Sequence, residues 1–204
     1  AGAWLALERA RPDAAELGTL RPEVIASVRE VYAGRTEDEV RVLLEETWLR
    51  PYTYDPWTGF RERPRSGTFV NIDPAGFRRA PDGVGLDHPG TRVFFFGGST
   101  TFGYGVADGE TIPARLEERL RARYPERDVR VFNFGRGHYF SGQELALLTR
   151  LLAEGQRPDL AIFLDGCNEG QDRPFFADEM ARHFEARQGP EEEPSWLGFA
   201  FEHF

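Results

Sequence analysis

The sequence contains no lysine and a single cysteine, and each shortage excludes particular reaction mechanisms or binding sites. All 25 basic residues are arginines, so Schiff-base mechanisms and the phosphate-binding P-loop are excluded, because both require a lysine. Cys167, the single cysteine, permits neither an internal disulfide nor a CxxC pair. There is no HExxH motif and no cluster of cysteine and histidine, so we predict neither a metal nor a cofactor.

Long apolar runs are also missing. The opening stretch 1–7 has only seven residues before charges begin, whereas a membrane-spanning helix needs about 20. This stretch is compatible with the end of a removed membrane anchor, and equally with the start of an ordinary helix. The first interpretation favours an extracytoplasmic or membrane-anchored protein, with the anchor outside the sequence.

The charge balance argues against one class of partner. The 25 arginines face 34 acidic residues, which gives a net charge of −9. A general nucleic-acid binder needs a basic field to neutralise phosphates, so we expect no nucleic-acid partner. With 40% hydrophobic residues in a chain of 204, there is enough apolar side chain to fill a core.

Three segments of different character divide the chain. Residues 1–50 indicate an N-terminal helical segment, whose second helix opens at a capping box over residues 36–39. Residues 51–91 are rich in Pro, Gly, Asp and Arg and predict an irregular wrapping segment with one short strand, 68–72. Residues 92–204 indicate an α/β domain.

Strands and helices alternate in this last segment. Short apolar runs predict buried strands, and helical spacing of apolar residues predicts the helices between them. Thr111 is the expected cap of the first helix, and Ser141 with Glu144 forms a second capping box. Alternation at this spacing predicts right-handed βαβ units around a parallel sheet. The predicted strands are 92–96, 129–132 and 159–164, and the predicted helices are 112–124, 141–152 and 174–187.

A chemically useful group follows each predicted strand. Ser99 follows the first within Gly-Gly-Ser-Thr, Gly135 follows the second, and Asn168 follows the third. Because parallel strands direct their carboxyl ends toward one edge of the sheet, we expect these residues to meet there. Acyl transfer needs this combination of a nucleophilic oxygen and hydrogen-bond donors aimed at a developing oxyanion.

These ordered blocks resemble the SGNH (GDSL-type) hydrolases, in the variant whose first block reads GGST. The resemblance implies a three-layer, flavodoxin-like parallel sheet in which Ser99 attacks an ester carbonyl. It also implies that the backbone N–H groups of Ser99 and Gly135 and the side-chain amide of Asn168 hold the oxyanion. The matching blocks are 96–103, 133–135 with 143–144, and 158–160 with 166–169.

Of three departures from the family pattern, that at Glu169 is mild, that at His138 puts a bulky ring beside the oxyanion loop and bears on substrate access, and the third is large. His138 replaces a usual glycine, Glu169 replaces a usual Asp, and the late Asp-x-x-His block that supplies the family's catalytic base is missing. A structural role is favoured for each of the four histidines, with His138 the nearest substitute for the base. We therefore expect the sheet to be incomplete at its C-terminal end, with the base outside the sequence. In that case the 204-residue chain has negligible turnover of p-nitrophenyl acetate.

The resemblance implies a serine-dependent hydrolase of small acyl esters, an esterase or acetylesterase whose substrates include O-acylated glycans. Two alternatives stay open. One is an acyltransferase that uses the same Ser99 and passes the acyl group to a sugar hydroxyl. The other is a catalytically silent binding or assembly subunit that retains the loops as a pocket. The sequence leaves the oligomeric state open.

Overall fold

The computed structural model describes residues 25, 28–79, 82–83, 85–166 and 168–169, which all belong to one unit of mixed α/β structure. Its helices are α1 (Glu37–Trp48), α2 (Ser99–Phe102), α3 (Ile112–Arg123) and α4 (Ser141–Ala153). Its strands are β1 (Tyr52–Asp55), β2 (Gly59–Glu62), β3 (Thr91–Gly97), β4 (Val129–Asn133) and β5 (Leu160–Leu164). No helix in these ranges is long and apolar enough to cross a membrane.

The main sheet has three parallel strands in the order β4-β3-β5. The central strand β3 is apolar on both faces, because Val93 and Phe95 alternate with Phe94 and Phe96 and all four are buried. Val93 and Phe95 pack with Leu116 of helix α3. The predictions of three strands and a parallel sheet are confirmed, but the third strand is not buried, since Leu160, Phe163 and Leu164 of β5 are exposed.

Helix α3 begins where the sequence predicts. The Thr111 hydroxyl accepts a hydrogen bond from the Ala114 N–H at 3.2 Å, which satisfies one of the N–H groups that a helix start leaves unpaired. Pro113 lies within the first turn, where its missing N–H has no cost. The helix then packs against β4 and fixes the position of that strand.

Helix α4 begins at Ser141 as expected, but the predicted capping box is wrong. The N-cap residue is Phe140, and it forms no side-chain cap. Glu144 is instead buried in the interior. The Glu169 carboxylate takes its place at the helix start, accepting hydrogen bonds from the Ser141 N–H at 2.7 Å and the Ser141 hydroxyl at 2.8 Å. A carboxylate is favourable there because the helix dipole is positive at its N-terminus.

The N-terminal segment contributes helix α1, whose predicted capping box is confirmed. The Glu39 N–H donates to the Thr36 hydroxyl at 3.2 Å, and the Thr36 N–H donates to the Glu39 carboxylate at 2.7 Å. Leu43 of this helix is completely buried and packs with Val70 and Phe102. Helix α1 therefore packs directly against the segment that follows β3.

The short strand predicted at 68–72 is wrong, apart from isolated bridges at Ile72. The buried Glu46 carboxylate accepts hydrogen bonds from the N–H groups of Thr68, Phe69 and Val70 at 2.7, 2.8 and 2.9 Å. A backbone that points three successive N–H groups at one carboxylate cannot offer them to a strand partner.

Strands β1 and β2 form an antiparallel hairpin that the sequence analysis missed. The Asp55 carboxylate shapes its turn by accepting hydrogen bonds from the Trp57 and Thr58 N–H groups at 3.0 and 3.1 Å. The other carboxylate oxygen of Asp55 is 2.7 Å from the Arg150 guanidinium. The hairpin is thereby tied to helix α4.

Several predictions lie outside the described residues. They concern the opening stretch 1–7, Cys167 and the helix at 174–187. The division into segments 1–50, 51–91 and 92–204 stays a prediction.

Candidate active site

The predicted nucleophile Ser99 is the first residue of helix α2, directly after strand β3 and the Gly97-Gly98 pair. Its carbonyl oxygen accepts hydrogen bonds from the Gly103 and Tyr104 N–H groups at 2.9 and 3.2 Å. Its own N–H lies in the first turn of the helix, where no intrahelical acceptor exists. The Ser99 side chain is half-buried. Within the described residues, the hydroxyl of Ser99 makes no hydrogen bond.

The loop that carries Asn168 meets the loop that carries Ser99. A methyl group placed on Gly98 would come within 2.7 Å of Asn168 Nδ2. That nitrogen also donates a hydrogen bond of 2.6 Å to the Tyr139 carbonyl. Because a side-chain amide carries two N–H bonds, the second remains available to another acceptor. A larger residue at position 98 would displace this amide.

The loop that carries Gly135 also meets the segment 97–106 that carries Ser99, which is called the nucleophile turn below. A methyl group on Gly135 would lie 2.6 Å from the Thr101 carbonyl carbon, so the close approach requires glycine. The Gly135 N–H, however, donates to the Asn133 side-chain oxygen at 2.9 Å. The same Asn133 side chain donates to the Thr101 carbonyl at 3.0 Å. Asn133 therefore organises both loops, and the donor expected from Gly135 is engaged by this side chain.

Arg78, from the wrapping segment, holds the nucleophile turn from the other side. Its buried guanidinium donates to the carbonyls of Phe102, Gly103 and Val106 at 3.0, 2.8 and 2.6 Å. It also donates to the Asp108 carboxylate at 2.9 Å. This side chain thus binds the carbonyl of Phe102 at the end of helix α2 and two carbonyls of the segment that follows it. The sequence analysis gave Arg78 no role.

A second buried arginine supports the same turn. The Arg50 guanidinium lies 3.8 Å from the centre of the Phe102 ring, in the range of a cation–π contact. It forms a two-fold ion pair with the buried Glu62 carboxylate, with both hydrogen bonds at 3.1 Å. Two parallel N–H···O bonds fix the orientation of the guanidinium plane. Helix α2 is therefore clamped between elements of the N-terminal and wrapping segments.

No histidine in the described part of the chain contacts Ser99. His88 is buried, and its ring lies 3.3 Å from the Asp128 carboxylate. Both residues precede their strands, so this pair lies at the opposite edge of the sheet from Ser99. His138 follows Gly135 in the second loop, is exposed, and has the left-handed φ of 67°. His183 and His203 lie outside the described residues.

Acidic groups surround the turn that carries Asn168. Burial raises the pKa of Glu144, the hydrogen bond and the charge of Asp165 and the charge of Glu169 act in the same direction, and together they bring it to about 8. Asp165 and Glu169 lie at the two ends of this turn. At neutral pH the Glu144 carboxyl group is therefore mainly protonated.

Among the described residues there is no group of three His, Cys, Asp or Glu side chains that could hold a metal ion.

A cleft of about 350 Å³ lies away from Ser99, between helix α3, strand β4 and the wrapping segment. Its polar lining is charged with both signs, including Arg79, Asp82, Glu117 and Arg121. Ser99 does not line it.

Comparison with known proteins gives structural neighbours only. No protein-family model and no curated protein matches the chain. Solved structures similar to part of it include AlinE4, described as an SGNH-hydrolase family esterase, with 27% identity and a TM-score of 0.36. A serine variant of that esterase matches with 25% identity and a TM-score of 0.35. Each match covers 48% of this chain and 52% of the other, so the chain spans about half the length of these neighbours.

Proposed function

We propose that the protein is a serine-dependent hydrolase of small acyl esters, in which Ser99 is the nucleophile. The observation that carries the proposal is the convergence of three loops at the carboxyl edge of the sheet. The Asn168 amide adjoins Gly98, and Gly135 packs on Thr101. An exposed edge where parallel strands end is a usual place for a ligand site. We further propose that the three parallel strands are the core of a three-layer, flavodoxin-like sheet.

In the proposed reaction, a base removes the proton of the Ser99 hydroxyl as its oxygen attacks the ester carbonyl carbon. The Ser99 N–H and the free N–H of Asn168 Nδ2 stabilise the oxyanion of the tetrahedral intermediate. The Gly135 N–H adds a third donor when the Asn133 side chain releases it. The intermediate expels the alcohol, which takes up the proton, and water then hydrolyses the acyl-serine. No histidine within the described ranges forms a hydrogen bond with Ser99, and we propose that the base lies outside those ranges.

We propose O-acylated glycans as one substrate group. Trp48 is 53% exposed and packs edge to face against Tyr104, with the ring centres 4.9 Å apart. The Tyr104 N–H donates to the Ser99 carbonyl oxygen, so an exposed aromatic surface lies beside the nucleophile turn. An exposed aromatic group next to a reactive serine suits the apolar face of a sugar ring.

The test measures ester hydrolysis by the full product of the gene that encodes this chain. We expect p-nitrophenyl acetate to be hydrolysed, and Ser99→Ala to abolish the hydrolysis. Thr100→Ala is the matched control, because it removes an exposed neighbouring hydroxyl and is expected to leave the rate unchanged. A Ser99→Ala variant that retains the wild-type rate would refute the assignment of the nucleophile.

The glycan proposal has its own experiment. Trp48→Ala is expected to slow the release of acetate from an acetylated xylan while leaving p-nitrophenyl acetate hydrolysis unchanged. Equal effects on both substrates would remove the argument for a sugar-binding surface. Adding a glycan acceptor and analysing the products separates a hydrolase from an acyltransferase, because the latter transfers the acetyl group to a sugar hydroxyl. A catalytically silent subunit would give neither product.

A further inference from the structure

Glu144 is a fully buried acid on helix α4, three residues after the helix begins at Ser141. Within the described residues no N–H or hydroxyl group donates to either of its carboxyl oxygens, and its hydrogen-bond partner is the Asp165 carboxyl group. An ionised carboxylate in such a place loses its hydration without gaining a compensating contact. The surroundings therefore favour the neutral acid, which carries a proton that it can donate.

Within the ranges that the structure describes, the charged groups that shift the pKa of Glu144 are both acidic. Asp165 directly follows strand β5, and Glu169 lies four residues further along the same turn. Burial comes first among the causes that raise the pKa of Glu144 to about 8, followed by the Asp165 and then the Glu169 carboxylate. Two neighbouring carboxyl groups that cannot both ionise share a proton between them.

The basic side chains on helix α4 and on the neighbouring elements bind groups other than Glu144. Arg150, on the same helix, is paired with the Asp55 carboxylate of the β1–β2 hairpin at 2.7 Å. Arg136, in the loop before the helix, donates to the Tyr139 hydroxyl at 2.6 Å and to the carbonyl of Phe60 at 3.1 Å. Strand β3 carries its one arginine at the amino end. Among the described residues, no basic group contributes to the pKa of Glu144.

Asn168 lies in the turn between the two acids. One end of the turn is tied to helix α4, because the Glu169 carboxylate accepts two hydrogen bonds from Ser141. At the other end Asp165 faces Glu144. We propose that Glu144 is a positioning residue that, as a neutral acid, donates its proton to Asp165 and so holds the Asn168 amide beside Ser99. This inference rests on the proposed function, in which Asn168 stabilises the oxyanion.

Loss of the proton on Glu144 would reverse this arrangement. Three carboxylates would then face one another across a short turn, and their repulsion would move Asn168 away from Gly98. Ester hydrolysis by the wild type should therefore fall about tenfold for each pH unit above about 8, as it does when an essential acid ionises. Glu144→Gln keeps a hydrogen-bond donor without a titrating group, so its rate should stay level over the same range.

The experiment that tests the inference directly is an NMR titration of the Asn168 side-chain amide, with no substrate present. In the wild type, we expect the amide resonance to shift with an apparent pKa near 8. In Glu144→Gln the shift should be absent. Glu154→Gln, which removes an exposed acid from the end of the same helix, should behave as the wild type.

A wild-type amide that does not move between about pH 6 and about pH 10 would overturn the inference, and this result needs no variant to fold. A shift that persists in Glu144→Gln would also overturn it, as would a shift suppressed by millimolar calcium, which would indicate a cation site. Because the titration needs no turnover, a positive titration without esterase activity would refute the proposed function and leave the positioning role intact.

Discussion

Replacing Arg78 by methionine tests whether a single buried side chain holds the nucleophile turn. Methionine keeps most of the volume of the arginine stem but removes the guanidinium. The carbonyls of Phe102, Gly103 and Val106 would lose a donor at 3.0, 2.8 and 2.6 Å, and Asp108 would lose its ion pair. Each buried acceptor left without a partner costs about 1–3 kcal/mol.

Partial access of water to the ends of this cluster reduces the sum, so we expect a loss of about 3–5 kcal/mol in the free energy of unfolding. A chain of this size is stabilised by about 5–15 kcal/mol, so the loss is large. Urea unfolding followed by tryptophan fluorescence measures it. The control is Arg79→Met, which removes the exposed neighbouring arginine and should change the free energy by less than about 0.5 kcal/mol. If Arg78→Met also lies within about 1 kcal/mol of the wild type, Arg78 does not hold the turn.

Three further predictions address the site, helix α1 and the hairpin. Gly98→Ala places a methyl group 2.7 Å from Asn168 Nδ2, so it should slow ester hydrolysis at least tenfold with little change in melting temperature; an unchanged rate would contradict the proximity. Thr36→Ala removes the cap of α1 and should cost about 1 kcal/mol in urea unfolding, and no loss would argue against the capping box. Burial raises the pKa of Asp55, but the Arg150 ion pair and the hydrogen bonds of the turn outweigh it, so the net shift is downward. This stabilisation is present above the pKa of an unfolded aspartate, about 3.9, and is lost as the pH falls through the lower folded value. The melting temperature of the wild type should therefore exceed that of Asp55→Asn at neutral pH and approach it in acid, and a difference independent of pH would contradict this.

The parts of the fold that follow local rules were predictable from the sequence. Thr111 caps α3 and Thr36 caps α1 as expected, because a cap depends on residues within one helical turn. The three strands of the main sheet are recognisable as short apolar runs, the pattern of parallel strands, although three residues of β5 are exposed. Parallel pairing follows from the helices between them.

The errors arise where a distant side chain replaces a local partner. Ser141 and Glu144 have capping-box spacing, but Glu169 caps the helix from 28 residues away, and Glu144 turns into the interior. Glu46 likewise binds three N–H groups more than 20 residues away and prevents a strand. Nothing in the local spacing distinguishes these acids from solvated ones, because their partners are chosen by tertiary packing.

The candidate site was predictable in outline but not in its supports. Placing Ser99, Gly135 and Asn168 after successive strands required only the rule that parallel strands share one carboxyl edge. Asn133, which binds both the Gly135 N–H and the Thr101 carbonyl, lies in the Asn-Phe-Gly block, yet only the coordinates show what it contacts.

The most direct test of the central claim is the rate at which a fluorophosphonate probe modifies Ser99, measured by mass spectrometry in the wild type and in Asn168→Ala. The probe forms a tetrahedral adduct whose oxygen occupies the place of the oxyanion. We expect modification at Ser99, and a reduction of about 10²–10³-fold in rate when the Asn168 amide is removed. A probe that leaves Ser99 unmodified, or that reacts equally fast with both proteins, would contradict the claim that these loops form an oxyanion site around an active serine.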